Sequence, residues 1–307
     1  MQANDPRLGI SVVVPHYGDR SPTAALVDSL RAQDDCPPLQ IIVVDDCSPT
    51  PLEAIVGATV VRREKNGGYG SAINSGVLLA DHETILILNS DLEIPKSFVR
   101  DLAAQCAPLM PAVVSPQIVD EHGNSQWPAR HFPTVGHHFV AALSALARYR
   151  HSNRWHEAVG HDTRAVTGNT LEVDWVVGAV MLLPTSAFRS VHGFDEGFYM
   201  NSEEVDLQRR LRNRNIPSVF LGTVQATHES GGSSDPSRRR AWMLSSALRY
   251  AQKWKQSPLL LRVALAAAAL INFSVNALRQ IGGRKVDALG TLHQELRYSV
   301  LPTQHRS

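Results

Sequence analysis

Cysteine is scarce in this 307-residue chain: Cys36, Cys47 and Cys106 are the only three, and none stands in a CxxC pair. That excludes a disulfide framework and a zinc knuckle, and it favours a reducing compartment. Met1 to Leu8 carries no apolar signal core, so export is not expected. No GxxxxGK(S/T) run is present, which excludes a P-loop, and no GxSxG elbow occurs. Internal repeats and low-complexity stretches are also missing. What remains, with 43% hydrophobic and 19% charged residues, is too apolar to stay disordered. Its length suits one large α/β domain with an appendage.

Acidic residues are missing from one region. Between Arg238 and Val286 there are ten Lys or Arg residues and no Asp or Glu, whereas the whole chain carries a net charge of only +1. An acidic body is thus joined to a basic C-terminal segment. Such a split points to an anionic surface as partner, either membrane or nucleic acid.

Along the body, short Val- and Ile-rich runs alternate with helical patterns. Ile10 to Val14, Leu39 to Val44, Thr59 to Arg62 and Thr84 to Leu88 read as strands. Ser21, as N-cap, with Pro22 at the first helical position opens a helix to about Ala32, and Gly70 to Ala80 reads as another. Val173 to Leu183 is strand-like, Glu203 to Arg214 helical, and Ser218 to Leu221 and Val224 to Thr227 short strands. Alternation of this kind predicts a mostly parallel sheet flanked by helices. In open α/β sheets ligands bind beyond the carboxyl ends of the strands, where Asp45 and Asp91 stand. Asp is also a common turn residue, so each alone reads equally well as a turn.

Two other patterns need weighing. The segment from Asp120 to Thr170 reads as loops and short helices over the sheet, and its six histidines from His131 to His161 follow no metal-ligand spacing. Asn66-Gly67-Gly68-Tyr69-Gly70 is glycine-rich before a helix, but the third glycine of a dinucleotide fingerprint is replaced by Ile73.

Taken together, Val13-Val14-Pro15, Val43-Val44-Asp45-Asp46-Cys47-Ser48, Asn66-x-Gly68-x-Gly70 with Asn74-x-Gly76, and Leu88-Asn89-Ser90-Asp91 resemble family 2 glycosyltransferases. Gly193-Phe194-Asp195-Glu196, continuing to Glu203-Glu204-Val205-Asp206-Leu207, is similar to the acceptor-side signature of that family. The short body with a basic tail resembles rhamnosyltransferases of O-antigen and cell-wall linker synthesis. This resemblance implies the GT-A nucleotide-sugar-binding fold, a divalent metal, Mn²⁺ or Mg²⁺, and inversion at the anomeric carbon.

The resemblance also distributes roles. Asp45 would accept a hydrogen bond from a pyrimidine ring, and Pro15 and Tyr17 would line the base pocket. Asn66, Gly68, Gly70, Asn74, Asn89 and Asp91 would face the rest of the donor. Asp91 and His228 would hold the metal, with Asn89 standing where relatives often have a second Asp. Trp175, Gly178 and Asp195 fall on the acceptor side. Glu204 takes the place of the catalytic base. Glu203 is the alternative base, and Asn201-x-x-Glu204 also fits a capping box, in which Glu204 would only satisfy a backbone N–H.

The expected organisation is a GT-A domain over 1–237 and a helical, basic extension over 238–307. In the extension, Leu244, Ala247, Leu248, Ala251 and Trp254 share one helical face. Leu259 to Leu278 is long enough to span a bilayer, but contains Arg262, Asn272, Ser274 and Asn276. A helix lying in an anionic membrane interface suits it better than a span or a core helix. No nucleic-acid motif accompanies the charge, so nucleic acid is not expected as partner. The expected activity is transfer of rhamnose from dTDP-rhamnose to a polyprenyl-diphosphate-linked saccharide, peripherally, at the cytoplasmic face of the cell membrane. UDP-galactofuranose or UDP-GlcNAc as donor, or a non-catalytic sugar-nucleotide-binding scaffold, are the alternatives.

Overall fold

Runs of Val and Ile bounded by turn residues build the first half of the fold, as seen in the computed structural model, which describes residues 9–228 and 236–300. The polar stretch Met1 to Leu8 lies outside the described residues, as does the end of the basic extension from residue 301. The chain divides by contact into two compact units, one of Met1–Arg130 with Arg164–Ser233, the other of His131–Thr163 with Ser234–Ser307.

In the first unit, β1 (Ile10–His16), β2 (Leu39–Asp45), β3 (Thr59–Arg62) and β4 (Thr84–Leu88) pair in parallel in the order β3-β2-β1-β4. Helices α1 (Arg20–Arg31), α2 (Tyr69–Val77) and α3 (Phe98–Cys106) lie between or after them. Strands β1, β2 and β4 read as apolar runs because both faces are covered, whereas β3, at the edge of the sheet, is only partly buried. Val12 and Val14 join a core with Leu26 of α1 and Phe98 of α3. Val13, on the opposite face, joins Ile73 of α2 with Phe194 and Leu207. Each such fully buried side chain contributes roughly 1.5–3 kcal/mol. The N-cap of α1 is Asp19 rather than Ser21: its carboxylate accepts the Ser21 N–H at 3.0 Å. A carboxylate two residues upstream reaches the exposed N–H groups that Ser21, already inside the helix, cannot.

Beyond β4 the sheet becomes mixed. Strands β5 (Leu92–Glu93), β6 (Val113–Val119), β8 (Thr170–Val173), β10 (Val180–Pro184) and β11 (Ser218–His228) continue it as β4-β10-β6-β11-β5, with β8 on β11. Strand β10 runs antiparallel to both β4 and β6, while β11 is parallel to β6. The single run expected over Val173 to Leu183 is three strands, because β9 (Trp175–Val176) leaves the main sheet to pair with β7 (Ala129–Arg130). The two strands expected after Ser218 are one, interrupted by a register shift between Leu221 and Gln225. Two further helices, α6 (Thr185–Ser190) and α7 (Glu203–Arg212), complete this unit.

The second unit is helical: α4 (Val135–Ala142), α5 (Asn153–Ala158), α8 (Pro236–Lys253), α9 (Pro258–Ile281) and α10 (Ala288–Val300). Residues 131–163, expected as cover for the sheet, group instead with the C-terminal helices. Ala247, Leu248 and Ala251 of α8 pack with Leu261 of α9 and with Val135 of α4. Asn272, buried in α9, accepts from the Ser144 N–H at 2.9 Å and donates to the Ala142 carbonyl at 2.9 Å. Of the polar interruptions of the apolar run, Asn272 and Asn276 face inward, while Ser274 is exposed. Leu259, Val263, Leu270, Leu278 and Ile281 recur at helical spacing and are exposed.

Candidate active site

Parallel pairing brings the carboxyl ends of β1, β2 and β4 to one edge, and that edge gathers the expected donor-side residues. Pro15 is half-buried and Tyr17 is 53% exposed at the end of β1. Asp45, at the end of β2, is fully buried; it accepts the N–H groups of Ser48 at 2.8 Å and Leu52 at 3.1 Å and pairs with Arg62. Burial alone would raise its pKa, but these hydrogen bonds outweigh it and hold the carboxyl down at about 2. Asp45 thus shapes the 46–52 loop. Its neighbour Asp46, which sequence reasoning did not single out, holds the glycine loop by accepting from Gly67 N at 3.0 Å and Gly68 N at 2.7 Å.

That loop is locked against the acceptor-side segment. Gly68 has φ +83° and ψ 178°, a region open essentially to glycine alone, and a Cβ there would lie 1.9 Å from the Tyr199 carbonyl oxygen. Asn66 Oδ1 accepts the Tyr199 hydroxyl at 2.9 Å. A Cβ on Gly70 would press on Phe194 at 2.9 Å. Asn74 accepts the Phe194 N–H at 2.9 Å and donates to the Phe194 carbonyl at 3.0 Å. Asn74, expected to face the donor, therefore clamps the 193–196 turn. Asp195, in that turn, accepts the Gly197 N–H at 2.9 Å. Tyr69 donates its hydroxyl to the carbonyl of buried Gly178, and Trp175 is buried in β9.

The metal-side residues come together through β5 and β11, which pair Leu92 with His228. His228 Nε2 lies 3.1 Å from Asp91 Oδ1 and 3.3 Å from Asn89 Nδ2. Gln126 orients the ring: its amide nitrogen donates to the His228 carbonyl at 2.7 Å, so its amide oxygen faces Nδ1 at 2.9 Å. Nδ1 then carries a proton, and Nε2 stands beside a carboxylate oxygen. Adjacent ligands of an octahedral cation at ~2.1 Å stand about 3 Å apart, so the pair fits Mn²⁺ or Mg²⁺. A separate group in the second unit, His131, Glu157 and Asp162, has ligating atoms within 4.8 Å of one another. There Glu157 is already engaged by His131 at 2.9 Å and by the Thr163 N–H at 2.8 Å.

Glu203 and Glu204 open α7 after Asn201 and Ser202, both with φ +68°. Backbone strain of about 1–3 kcal/mol per residue is concentrated at this entry. The N-cap is Ser202, without a side-chain cap bond, so the capping box that Asn201 and Glu204 suggested does not form. Glu203 Oε2 and Glu204 Oε2 are buried without a hydrogen-bond partner. Burial pushes both carboxyls up, Glu203 well above the usual range with the Glu204 charge adding to it. Burial, followed by these two acids, likewise keeps the Tyr69 phenol neutral.

Comparison with known proteins shows the family and the fold. Residues 11–174, more than half of the chain, match the family described as glycosyl transferase family 2. A low-salt glycan biosynthesis hexosyltransferase, Agl10, of Haloferax volcanii is 27% identical over 199 residues, 62% of this chain and 58% of that protein. An N-acetylglucosaminyl-diphospho-decaprenol L-rhamnosyltransferase of Mycobacterium tuberculosis is 27% identical over 227 residues, 66% of this chain and 71% of that protein. The chain thus spans less than two thirds of the first relative and somewhat more of the second. In fold it is similar to the mannosyltransferase PcManGT of Pyrobaculum calidifontis, solved with GDP-Man and Mn²⁺, at a TM-score of 0.58 and 15% identity, over 96% of this chain and 87% of that one.

Gly68→Ala tests the interlock of loop and acceptor-side segment. It is expected to cost ~2 kcal/mol or more of stability, since the backbone conformation excludes a side chain and the Tyr199 carbonyl cannot retreat freely. Denaturant unfolding measures this, and a wild-type midpoint would refute the interlock.

Proposed function

Since the chain belongs to glycosyl transferase family 2, we propose that this glycosyltransferase moves rhamnose from dTDP-rhamnose to a saccharide on a polyprenyl diphosphate, with inversion at the anomeric carbon. The observation that carries the reading is the convergence of two carboxyls at the start of α7, each with one buried oxygen that has no hydrogen-bond partner, beside a locked glycine loop. The name of the mycobacterial relative supports rhamnose and a lipid-diphosphate acceptor.

The residues divide the work by their chemistry. Pro15 and Tyr17 flank the base, and the loop held by Asp45 closes the pocket behind it. The glycine loop brings backbone close to the donor without interference from side chains. Asp91 and His228 would hold the divalent cation, which when bound neutralises charge developing on the departing nucleoside diphosphate. Glu204 takes the proton of the acceptor hydroxyl as the oxygen bonds to the anomeric carbon and the carbon–phosphate-oxygen bond breaks. A carboxyl raised by burial is a stronger base once ionised, which suits a hydroxyl proton. Trp175, Gly178 and Asp195 shape the acceptor side.

Glu204→Gln keeps the size and polarity of the side chain but cannot accept the proton. It should retain the fold and dTDP-rhamnose affinity and lose transfer by ~10²-fold or more, measured as dTDP release with a polyprenyl-diphosphate-linked GlcNAc acceptor. Transfer near the wild-type rate would show that the base lies elsewhere.

The second unit supports a peripheral location at the cytoplasmic face of the membrane. One face of α9 is occupied by packing and by Asn272, while Leu259, Val263, Leu270, Leu278 and Ile281 form an exposed apolar stripe. Helix α9 is long and apolar enough to cross a membrane. Its inward polar contacts favour lying in the interface instead, with the basic residues of 238–286 attracting anionic lipid. Deleting the chain from Arg238 would strip the cover from Val135, so surface variants are the cleaner test. Intact protein should bind phosphatidylglycerol vesicles in a salt-sensitive way, and a Leu259→Ser, Leu270→Ser, Leu278→Ser variant should bind at least ~10-fold more weakly with unchanged circular dichroism. Equal binding by the variant, or none by the intact protein, contradicts the docking face.

A further inference from the structure

Strand β6 ends at Val119, and there the chain doubles back on the sheet. Asp120 makes the turn. Its carboxylate accepts the N–H groups of His122 at 2.9 Å and Asn124 at 2.8 Å, and the Asn124 side-chain amide at 3.0 Å. Its own N–H donates to the Asn124 carbonyl at 2.9 Å. An Asp that bonds its own downstream backbone in this way builds a tight turn from local contacts alone. The returning chain is registered by Ser125 opposite Val119 and by the Gln126 N–H on the Ile118 carbonyl at 2.9 Å. Trp127, directly after it, has φ +54°, uncommon for so bulky a residue. The backbone on both sides of Gln126 is thus set without the cation site, and the side chain is delivered to it.

The parallel ladder of β6 and β11 ends with Val119 and Thr227, and Gln126 extends the contact one residue further with a side chain. Its Nε2 donates to the His228 carbonyl at 2.7 Å, and its Oε1 stands 2.9 Å from His228 Nδ1. A carbonyl can only accept, so the amide has one orientation, and Oε1 in turn can only accept from Nδ1–H. On the opposite edge of β11, β5 pairs Leu92 with His228. His228 is therefore held by its backbone from both sides and by its ring from one. With Nδ1 committed to Gln126, Nε2 is the ring nitrogen left for a cation. It faces Asp91 Oδ1 at 3.1 Å, with the Asn89 amide nitrogen at 3.3 Å. An unheld imidazole can turn away or offer its other nitrogen, and ordering it then costs binding energy.

We propose that Gln126 is a positioning residue for the divalent cation: by bonding both the carbonyl and Nδ1 of His228, it commits the ring to ligation through Nε2 beside Asp91 before a cation arrives. The inference rests on the reading of Asp91 and His228 as the residues that hold the cation, and it names the side chain that makes that pair a preformed site. Groups that orient a ligating histidine through its second nitrogen typically contribute about 10- to 100-fold in metal affinity.

The test measures Mn²⁺ alone binding to the full chain, counted by loss of the free-ion electron paramagnetic resonance signal. Gln126→Met keeps the length of the side chain and loses both bonds; it should bind Mn²⁺ ~10-fold more weakly with unchanged circular dichroism. Gln126→Ser, which is shorter and cannot reach His228, gives the same reading should Gln126→Met fail to fold. The decisive comparison repeats Gln126→Met in a His228→Ala background. A residue that acts through the His228 ring has nothing left to orient there, so Mn²⁺ affinity should not fall further, whereas a brace for the end of β11 would cost the same in both backgrounds. Wild-type Mn²⁺ affinity in Gln126→Met, or an equal loss with and without His228, overturns the role of Gln126 while leaving the cation's placement intact. Mn²⁺ binding that persists unchanged in Asp91→Ala overturns that placement, and the role of Gln126 with it.

Discussion

The close approach of two distant chain segments governs the site. Gly68 meets the Tyr199 carbonyl with no room for a Cβ, Gly70 meets Phe194, and Asn74 holds Phe194 by both backbone groups. Residues 66–77 follow the first three strands, and residues 193–204 follow the tenth. Their contact fixes the donor-side loop relative to the two carboxyls that open α7. The strained pair Asn201 and Ser202 is explained by the same constraint: the chain must turn sharply after Tyr199 to begin α7 against Tyr69.

Local chemistry decided which parts could be read in advance. The first, second and fourth strands are legible because a strand covered on both faces needs an unbroken apolar run, and Val12 to Val14 and Ile41 to Val44 supply one. The ends of those strands are legible too, since Asp45, Asn89 and Asp91 interrupt the runs abruptly. The mixed half of the sheet was not legible. Strand β10 looks like its parallel neighbours in composition, and only pairing across about ninety residues shows that it runs the other way. Likewise, Val173 to Leu183 is continuous in hydropathy and is divided by the departure of β9 to β7.

The site shows the same division. Family motifs suggested Glu204, Asp91 and His228, and the structure adds residues that orient the groups around them. Gln126 sets the His228 ring from 102 positions away, Gln208 braces Val176 across 32, and Asp46 gathers the glycine loop across 21. None of these carries a local signature, because an amide or carboxylate that orients another residue looks like any polar loop or helix residue. Asn74 shows the converse, a motif residue whose contacts go to the chain itself. In the second unit, Asn272 and Asn276 seemed to weaken an apolar helix and instead mark the side that packs inward.

The account as a whole depends on a nucleotide sugar and a divalent cation meeting at Asp91 and His228. Calorimetric titration of dTDP-rhamnose into the full chain, with and without Mn²⁺, addresses this directly when repeated on Asp91→Ala. The wild type should bind more tightly with Mn²⁺ by at least ~10-fold, as expected when a cation offsets pyrophosphate charge, and the variant should show no such gain. The same Mn²⁺-dependent tightening in Asp91→Ala would contradict the placement of the cation and, with it, the arrangement of the donor proposed for this edge of the sheet.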